Sequence, residues 1–447
     1  MRQRTRTLSE KLDSIGERFQ PFPNVSAGSY CSMTQSLRLD GFADEDVKAA
    51  LRGDALTSRT VFPVLVHECQ HMVDHLCTLF GRKLLAQTYD GMDARLSGNH
   101  NRFASVADLF RTIREIHRND YFFELGEAAD KPRRPGERWI YDFSTGLQLD
   151  VEGRELPDQP VFFVRFFHPD GGRIARVPMS VAALLEARAM AAEVRTQMRL
   201  SAGIADEFEK KMYVGEVASG LDQILYEPYF VKYTVAAHTA ANLLGGRNLV
   251  DALEVAARLS SICLMMPSEF FDRVKVPEYR GSRTEDPEEA VRRCRAALRR
   301  RDRGYLFLLL VTNLAQSGGL SNPLNVVAEA LGASALPAEG EVMAACGREL
   351  VDVTRSTAGG RFAEQYTRVL ALGDACLVDG GAMDAGGVLT RLPATLPPLV
   401  LRQGGPYCHG TPAWSIEAHE NWSSACELVT EKFREFFDAC GLYRTIT

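Results

Sequence analysis

His67, Glu68, His71, Asp74 and His75 are set into an otherwise apolar segment, PVLVHECQHMVDHLC at residues 63–77. The first three follow the spacing H-E-x-x-H. On an α-helix, residues i and i+4 share a face one turn apart, so two imidazoles can reach one ion while the glutamate at i+1 points alongside it toward a bound water. At about 100° per residue, with His67 at zero, Asp74 falls at about −20°, His71 at about 40°, His75 at about 80° and Glu68 at about 100°. Val66, Cys69, Met72, Val73, Leu76 and Phe80 cover the opposite arc. Such an ionisable face can be merely solvated; the apolar flanks, VFPVLV before and LCTLF after, favour a metal.

His75 extends the pattern to H-E-x-x-H-x-x-x-H, yet two turns of straight helix set it about 12 Å from His67. Bonds of about 2 Å cannot bring both to one ion. On an unbroken helix His75 is therefore not a third ligand.

The arrangement resembles the zincin metallohydrolases, in which the two histidines bind zinc and the glutamate is the general base. The resemblance implies that His67 and His71 are metal ligands. It also implies that Glu68 takes a proton from activated water and passes it to the leaving group, while the metal polarises the scissile carbonyl. The metzincin arrangement needs a helix-breaking glycine and a histidine soon after His71; MVDHLC follows instead, and Gly81 is too far along. The gluzincin arrangement takes a glutamate from a second helix, and SVAALLEARAMAAE offers Glu186. Ala182, Ala183, Ala187 and Ala189 around it are small enough for two helices to approach closely, and Glu193 lies on the same face seven residues on.

Glu216 in YVGEVASGLD and Glu227 in LYEPYF are alternative third ligands, and a competing reading makes Glu186 half of a surface pair with Arg188. A thermolysin-like chain has an aspartate four residues after the ligand; here that position is Met190. The order H-E-x-x-H-x-x-x-H, an Ala-rich E-x-x-A and LMMPSEF (264–270) also loosely resembles cytosolic metalloproteases that cleave phage or stress repressors. In those the last two pieces are nearly contiguous, whereas here residues 190–263 intervene.

Asp74, His75 and Glu193 are candidates to orient a ligand or bind substrate, because ligating imidazoles usually donate their other N–H to a carboxylate or carbonyl. Tyr229, Tyr233 and His238 in YFVKYTVAAH could supply a donor to a tetrahedral oxyanion, against the plainer reading of an amphipathic helix with satisfied polar tips. An edge strand such as PVFFVRFF or RIARVP could pair with an extended peptide substrate.

Two other classes remain open from the residues alone. Two histidines and a carboxylate are also the donor set of non-heme Fe(II) oxygenases, and Glu68-x-x-His71 matches the E-x-x-H of helical di-iron proteins. Against di-iron, EAHE at 417–420 has the wrong spacing for a second such motif. A non-catalytic helical interaction protein with a closed structural site is the third reading. Zn2+ is the expected ion and Fe2+ the alternative.

These side chains need a scaffold. Helical spacing predicts one long helix over about 62–87, with Pro63 near its start where proline is tolerated. Residues 1–60 read as a helical lead-in: LSEKLDSIGERF, a loop QPFPNVSAGSY, then DEDVKAALRG. RWIYDF, LQLDV, PVFFVRFF and RIARVPM form a β-rich run over about 137–178, the last two joined by the turn HPDGG. Ser180 reads as the N-cap of the Ala-rich helix, and further helices are expected at 205–225, 229–243, 248–264 and 286–315. Residues 320–447 read as helices broken by Gly and Pro, with an irregular stretch at 392–412. The expected fold is mainly α with a small antiparallel β-sheet around a zincin-like helical core. Its expected regions are 1–60, a metal-binding catalytic domain at 61–282, and a mainly helical 283–447.

At 447 residues, with a net charge of −6 and a pI of about 5.9, the chain offers no global attraction to nucleic acid or an anionic membrane. The basic runs at 131–138 and 292–303 read as solvated faces or loops. No apolar stretch reaches the roughly 18 to 20 residues needed to span a bilayer, and the N-terminus lacks the apolar core of a secretory signal. Ten cysteines without a C-x-x-C pair fit reduced, structural thiols. The expectation is a cytoplasmic enzyme with a peptide or protein substrate and neither nucleic acid nor membrane as partner.

Overall fold

Apolar residues recurring at helical spacing fold as helices through most of the chain, and the β-rich run folds as a sheet. The structure, a computed structural model, describes residues 27–98, 100–116, 122–134, 136–149, 152–244, 248–277, 286–356, 360–377, 399–401, 406–407, 420–429 and 431. The helices are α1 (Asp44–Leu51), α2 (Ala55–Cys77), α3 (Leu79–Ser97), α4 (Phe103–Ile116), α5 (Val181–Ala202), α6 (Glu207–Leu225) and α7 (Val231–Leu244). They continue as α8 (Leu249–Met265), α9 (Pro287–Arg299), α10 (Arg303–Gln316), α11 (Val326–Ala333), α12 (Glu339–Ser356) and α13 (Ala363–Leu377). The strands are β1 (Ser29–Cys31), β2 (Ser36–Arg38), β3 (Glu124–Leu125), β4 (Ile140–Leu149), β5 (Glu155–Phe167), β6 (Arg173–Pro178), β7 (Leu399–Val400) and β8 (Pro406–Tyr407). The protein is thus mainly helical with small sheets, as its sequence predicts. No described helix is long and apolar enough to cross a membrane.

The helix expected over 62–87 is two helices. Asp54 starts α2 by accepting a hydrogen bond from the Thr57 backbone N–H at 2.9 Å. Pro63 therefore stands inside the helix, where it removes the hydrogen bond to the Arg59 carbonyl. Packing of α1, β1, α3 and α13 against α2 offsets that loss. The break comes at Thr78, which is extended. Its hydroxyl donates to the Asp74 carbonyl oxygen at 2.6 Å, ending α2, and accepts from Gly81 N–H at 2.9 Å, capping α3. A Cβ at Gly81 would stand 2.1 Å from the Asp74 carbonyl oxygen, so only glycine fits this turn.

Two compact units divide the chain. The first comprises residues 1–114, 192–213 and 350–444. In it, β1 and β2 form an antiparallel pair, β2 runs parallel to β7, and β7 pairs antiparallel with β8. The helical segment 420–429 locks this sheet: the Trp422 indole N–H donates to the Met33 carbonyl oxygen at 2.7 Å and stacks on Tyr89. The region read as a helical lead-in therefore contributes a buried strand pair; LSEKLDSIGERF lies outside the described residues.

The second unit comprises residues 115–191, 214–349 and 445–447. Its sheet has the order β3-β6-β5-β4 and is antiparallel throughout. RWIYDF and LQLDV, read as separate runs, contribute to the single strand β4, in register with β5 from Ile140↔Phe167 to Leu147↔Pro160. HPDGG makes the β5–β6 turn, with Gly171 at φ +92°. PVFFVRFF and RIARVP lie in β5 and β6, each paired on both sides, so neither is an edge. The outer strands of this sheet are β3 and β4. Helices α7, α8 and α10 pack on one another, and α9 covers β5. The helix expected over 286–315 is split into α9 and α10, because Arg301 takes a left-handed φ of +59° and Asp302 caps α10.

Helix α5 runs unbroken from Val181 to Ala202 directly after Ser180. It is buried on all sides from Ala182 to Ala192, Glu186 and Arg188 included.

Candidate metal centre

From Leu65 to Cys77 every residue of α2 is buried, the ionisable face included. A solvated polar face is thereby excluded. On the Glu68 side the cover is backbone: a Cβ on Gly28 would stand 3.1 Å from Glu68 Cγ and 3.1 Å from Val64 Cγ1. Any side chain at position 28 would press on Glu68.

Helix α5 supplies the carboxylate. Glu186 is 2 % exposed and Arg188 is also buried, so neither stands at the surface. One ligand atom each from His67, His71 and Glu186 lies within 4.8 Å of the other two. Among the described residues this is the group of histidine, cysteine and acidic side chains that gathers in this way. The His67 and His71 rings stand edge to face, 5.0 Å apart between centroids.

Two neutral imidazoles and a carboxylate are a donor set for zinc or another divalent transition metal. Donors around a tetrahedral zinc, with bonds of about 2.0–2.1 Å, are roughly 3.3 Å apart. Closing the observed 4.8 Å to that spacing takes side-chain movements of about 1.5 Å or less, so the residues fit such an ion.

Glu193 stands two turns along α5 from Glu186. Its Oε2 lies 3.1 Å from His67 Nδ1, and its side chain is 27 % exposed. This carboxylate therefore meets the ring nitrogen that an ion bound at Nε2 leaves over.

The other polar groups of the segment are engaged elsewhere. Asp74 Oδ1 accepts from the Gln70 side-chain amide at 2.9 Å. His75 Nδ1 lies 2.8 Å from the Tyr30 hydroxyl. Burial, followed by the nearby Arg82 guanidinium, pushes the His75 pKa down to about 3, so its ring is neutral. The Gln70–Asp74 contact is an i,i+4 pair that helical spacing allows, whereas neither Tyr30 nor Gly28 carries a sequence signal for its contact, since a hairpin neighbour cannot be read from helical spacing.

The alternative ligands have other surroundings. Glu216 is exposed, and Glu227 Oε1 accepts from Tyr229 N–H at 3.3 Å. Tyr229 is largely exposed and its hydroxyl approaches Asp130 at 3.5 Å. Tyr233 is half-buried under the Lys232 ammonium. His238 lies buried among Trp139, Tyr226 and Phe166, with Nε2 donating to the Leu225 carbonyl oxygen at 2.6 Å. Burial pushes its pKa down to about 4.

In the basic run at 292–303, Glu289 takes Arg292 and Arg293, Glu115 takes Arg300, and Arg295, Arg299 and Arg301 are exposed. The EAHE run lies mostly outside the described residues. No protein-family model, no curated protein and no solved structure matches the chain, so the site stands on its own geometry.

Proposed function

We propose that the chain is a metal-dependent hydrolase, with zinc as its ion, acting on a peptide or amide bond of a peptide or protein substrate. The observation that carries this reading is the gathering of His67, His71 and Glu186, all buried, with Glu68 on the same helix as the two histidines. A divalent ion held there would polarise a carbonyl and make a coordinated water acidic, the two effects that hydrolysis needs.

The protein's own groups supply the rest. His67 and His71 act as neutral donors, and Glu186 brings a negative charge that offsets part of the cation's. Glu68, one residue from His67, is the carboxylate placed to take a proton from the attacking water and return it to the leaving nitrogen. Enclosure of these groups excludes bulk water and strengthens each electrostatic contact. The cysteines among the described residues are buried thiols, which fits a reducing, cytoplasmic setting.

Metal analysis and one substitution test the proposal. The purified protein is expected to hold one equivalent of zinc and to cleave peptides. Glu68→Gln is expected to keep the zinc and lose roughly 100-fold or more in rate, the scale of a general base. An equivalent of iron with oxygen-dependent turnover would overturn the hydrolase in favour of an oxygenase using the same donors. Loss of the metal in Glu68→Gln would make Glu68 a ligand and not a base.

A further inference from the structure

The Glu193 carboxylate hydrogen-bonds to His67 of the candidate centre. A carboxylate only accepts, so at 3.1 Å from Oε2 the His67 Nδ1 is the donor. A neutral imidazole that carries its proton on Nδ1 has its lone pair on Nε2. The hydrogen bond thus fixes both the tautomer and the ring orientation of His67, and the carboxylate makes Nε2 a stronger donor.

The same rigid rod carries both acidic groups. Glu186 and Glu193 are seven residues apart on unbroken α5, about 10 Å along its axis and about 20° around it. Helix α5 thereby offers one carboxylate to the ion and a second to the ligand's far side. Glu193 is the more exposed of the two, its side chain 27 % accessible.

We propose that Glu193 is a positioning residue, holding His67 in the Nδ1–H tautomer so that Nε2 faces the cation bound by His67, His71 and Glu186. This rests on the metal reading above but not on hydrolysis. It places the orienting carboxylate seven residues beyond Glu186, where the position four residues beyond is Met190.

The full-length protein tests it through zinc affinity and the His67 tautomer, read by 15N NMR of the imidazoles. Glu193→Ala is expected to weaken zinc binding about 10- to 100-fold, the range for removal of such an orienting partner, and to shift His67 away from the pure Nδ1–H form. Glu193→Gln keeps an acceptor oxygen without the charge; it is expected to retain the tautomer and stay within about threefold of wild-type affinity. Equal losses in the two variants would overturn the proposal in favour of bare charge attraction. An unshifted tautomer with unchanged affinity in Glu193→Ala would overturn it outright. Wild-type protein that takes up no zinc would overturn the metal centre itself, and retained zinc without peptide cleavage would overturn only the hydrolase. Thermal melting of each variant checks that the fold is intact, which the partial exposure of Glu193 favours.

Discussion

Two of the settings in which histidines are buried contrast sharply. On α2, His67 and His71 are buried together with Glu186, and Glu193 meets the first ring. In the second unit His238 is buried just as thoroughly, yet its neighbours are aromatic rings and a single carbonyl oxygen. Burial alone therefore does not distinguish a metal site from a core histidine. The distinguishing feature is the chemistry that converges: several acceptor-capable groups within reach of one point, against one satisfied hydrogen bond in an apolar shell. His75, neutral and bonded to Tyr30, belongs with His238 although it lies one helical turn from His71.

The sharpest break of this contrast is a paired substitution. His71→Ala is expected to lower zinc affinity roughly 1000-fold, its share of the binding free energy of a small ligand set. His238→Ala should leave affinity unchanged in the same titration. A loss of zinc binding in the His238 variant would erase the distinction.

Smaller is the contribution of acidity to the second setting. The His238 pKa is about 4 when folded against 6.5 as the ordinary value. Unfolded chain thus takes up the proton first as pH falls, and stability present above about 6.5 is lost progressively down to about 4. The full effect is at most about 3 kcal/mol from this group, measurable by urea unfolding across that range. His238→Phe should flatten the slope; an unchanged slope would assign it to other groups.

Third ligands come next. Glu186→Ala is expected to cost roughly 100-fold in zinc affinity, somewhat less than loss of a histidine. Glu216→Ala and Glu227→Ala are expected to stay within about twofold, since neither belongs to the gathered group. The opposite ranking would move the third ligand off α5.

Much of the scaffold was legible because its signals are local. The β5–β6 hairpin follows from HPDGG, and α6, α7 and α8 start and end within two residues of the spans that periodicity predicts. The misread elements failed where a single residue outweighed the pattern. Thr78 bonds backward to Asp74 and forward to Gly81, which divides α2 from α3 inside one apolar period. Arg301 and Asp302 divide α9 from α10 in the same way. The strand pair at 29–38 falls inside the expected helical lead-in, because strands of three residues carry too little alternation to register.

The sequence by itself determined that His67 and His71 stand one turn apart with Glu68 beside them, because helix geometry is set within a few residues. It also determined that His67 and His75 are too far apart along one helix to share an ion. Only the tertiary structure decided that this face is enclosed, that Glu186 joins it while Glu216 is exposed, that Glu193 meets His67, and that His75 turns to Tyr30. Those outcomes depend on which helix or strand packs against α2, a choice made by burial of apolar surface across long sequence separations. No spacing within a single helix encodes it.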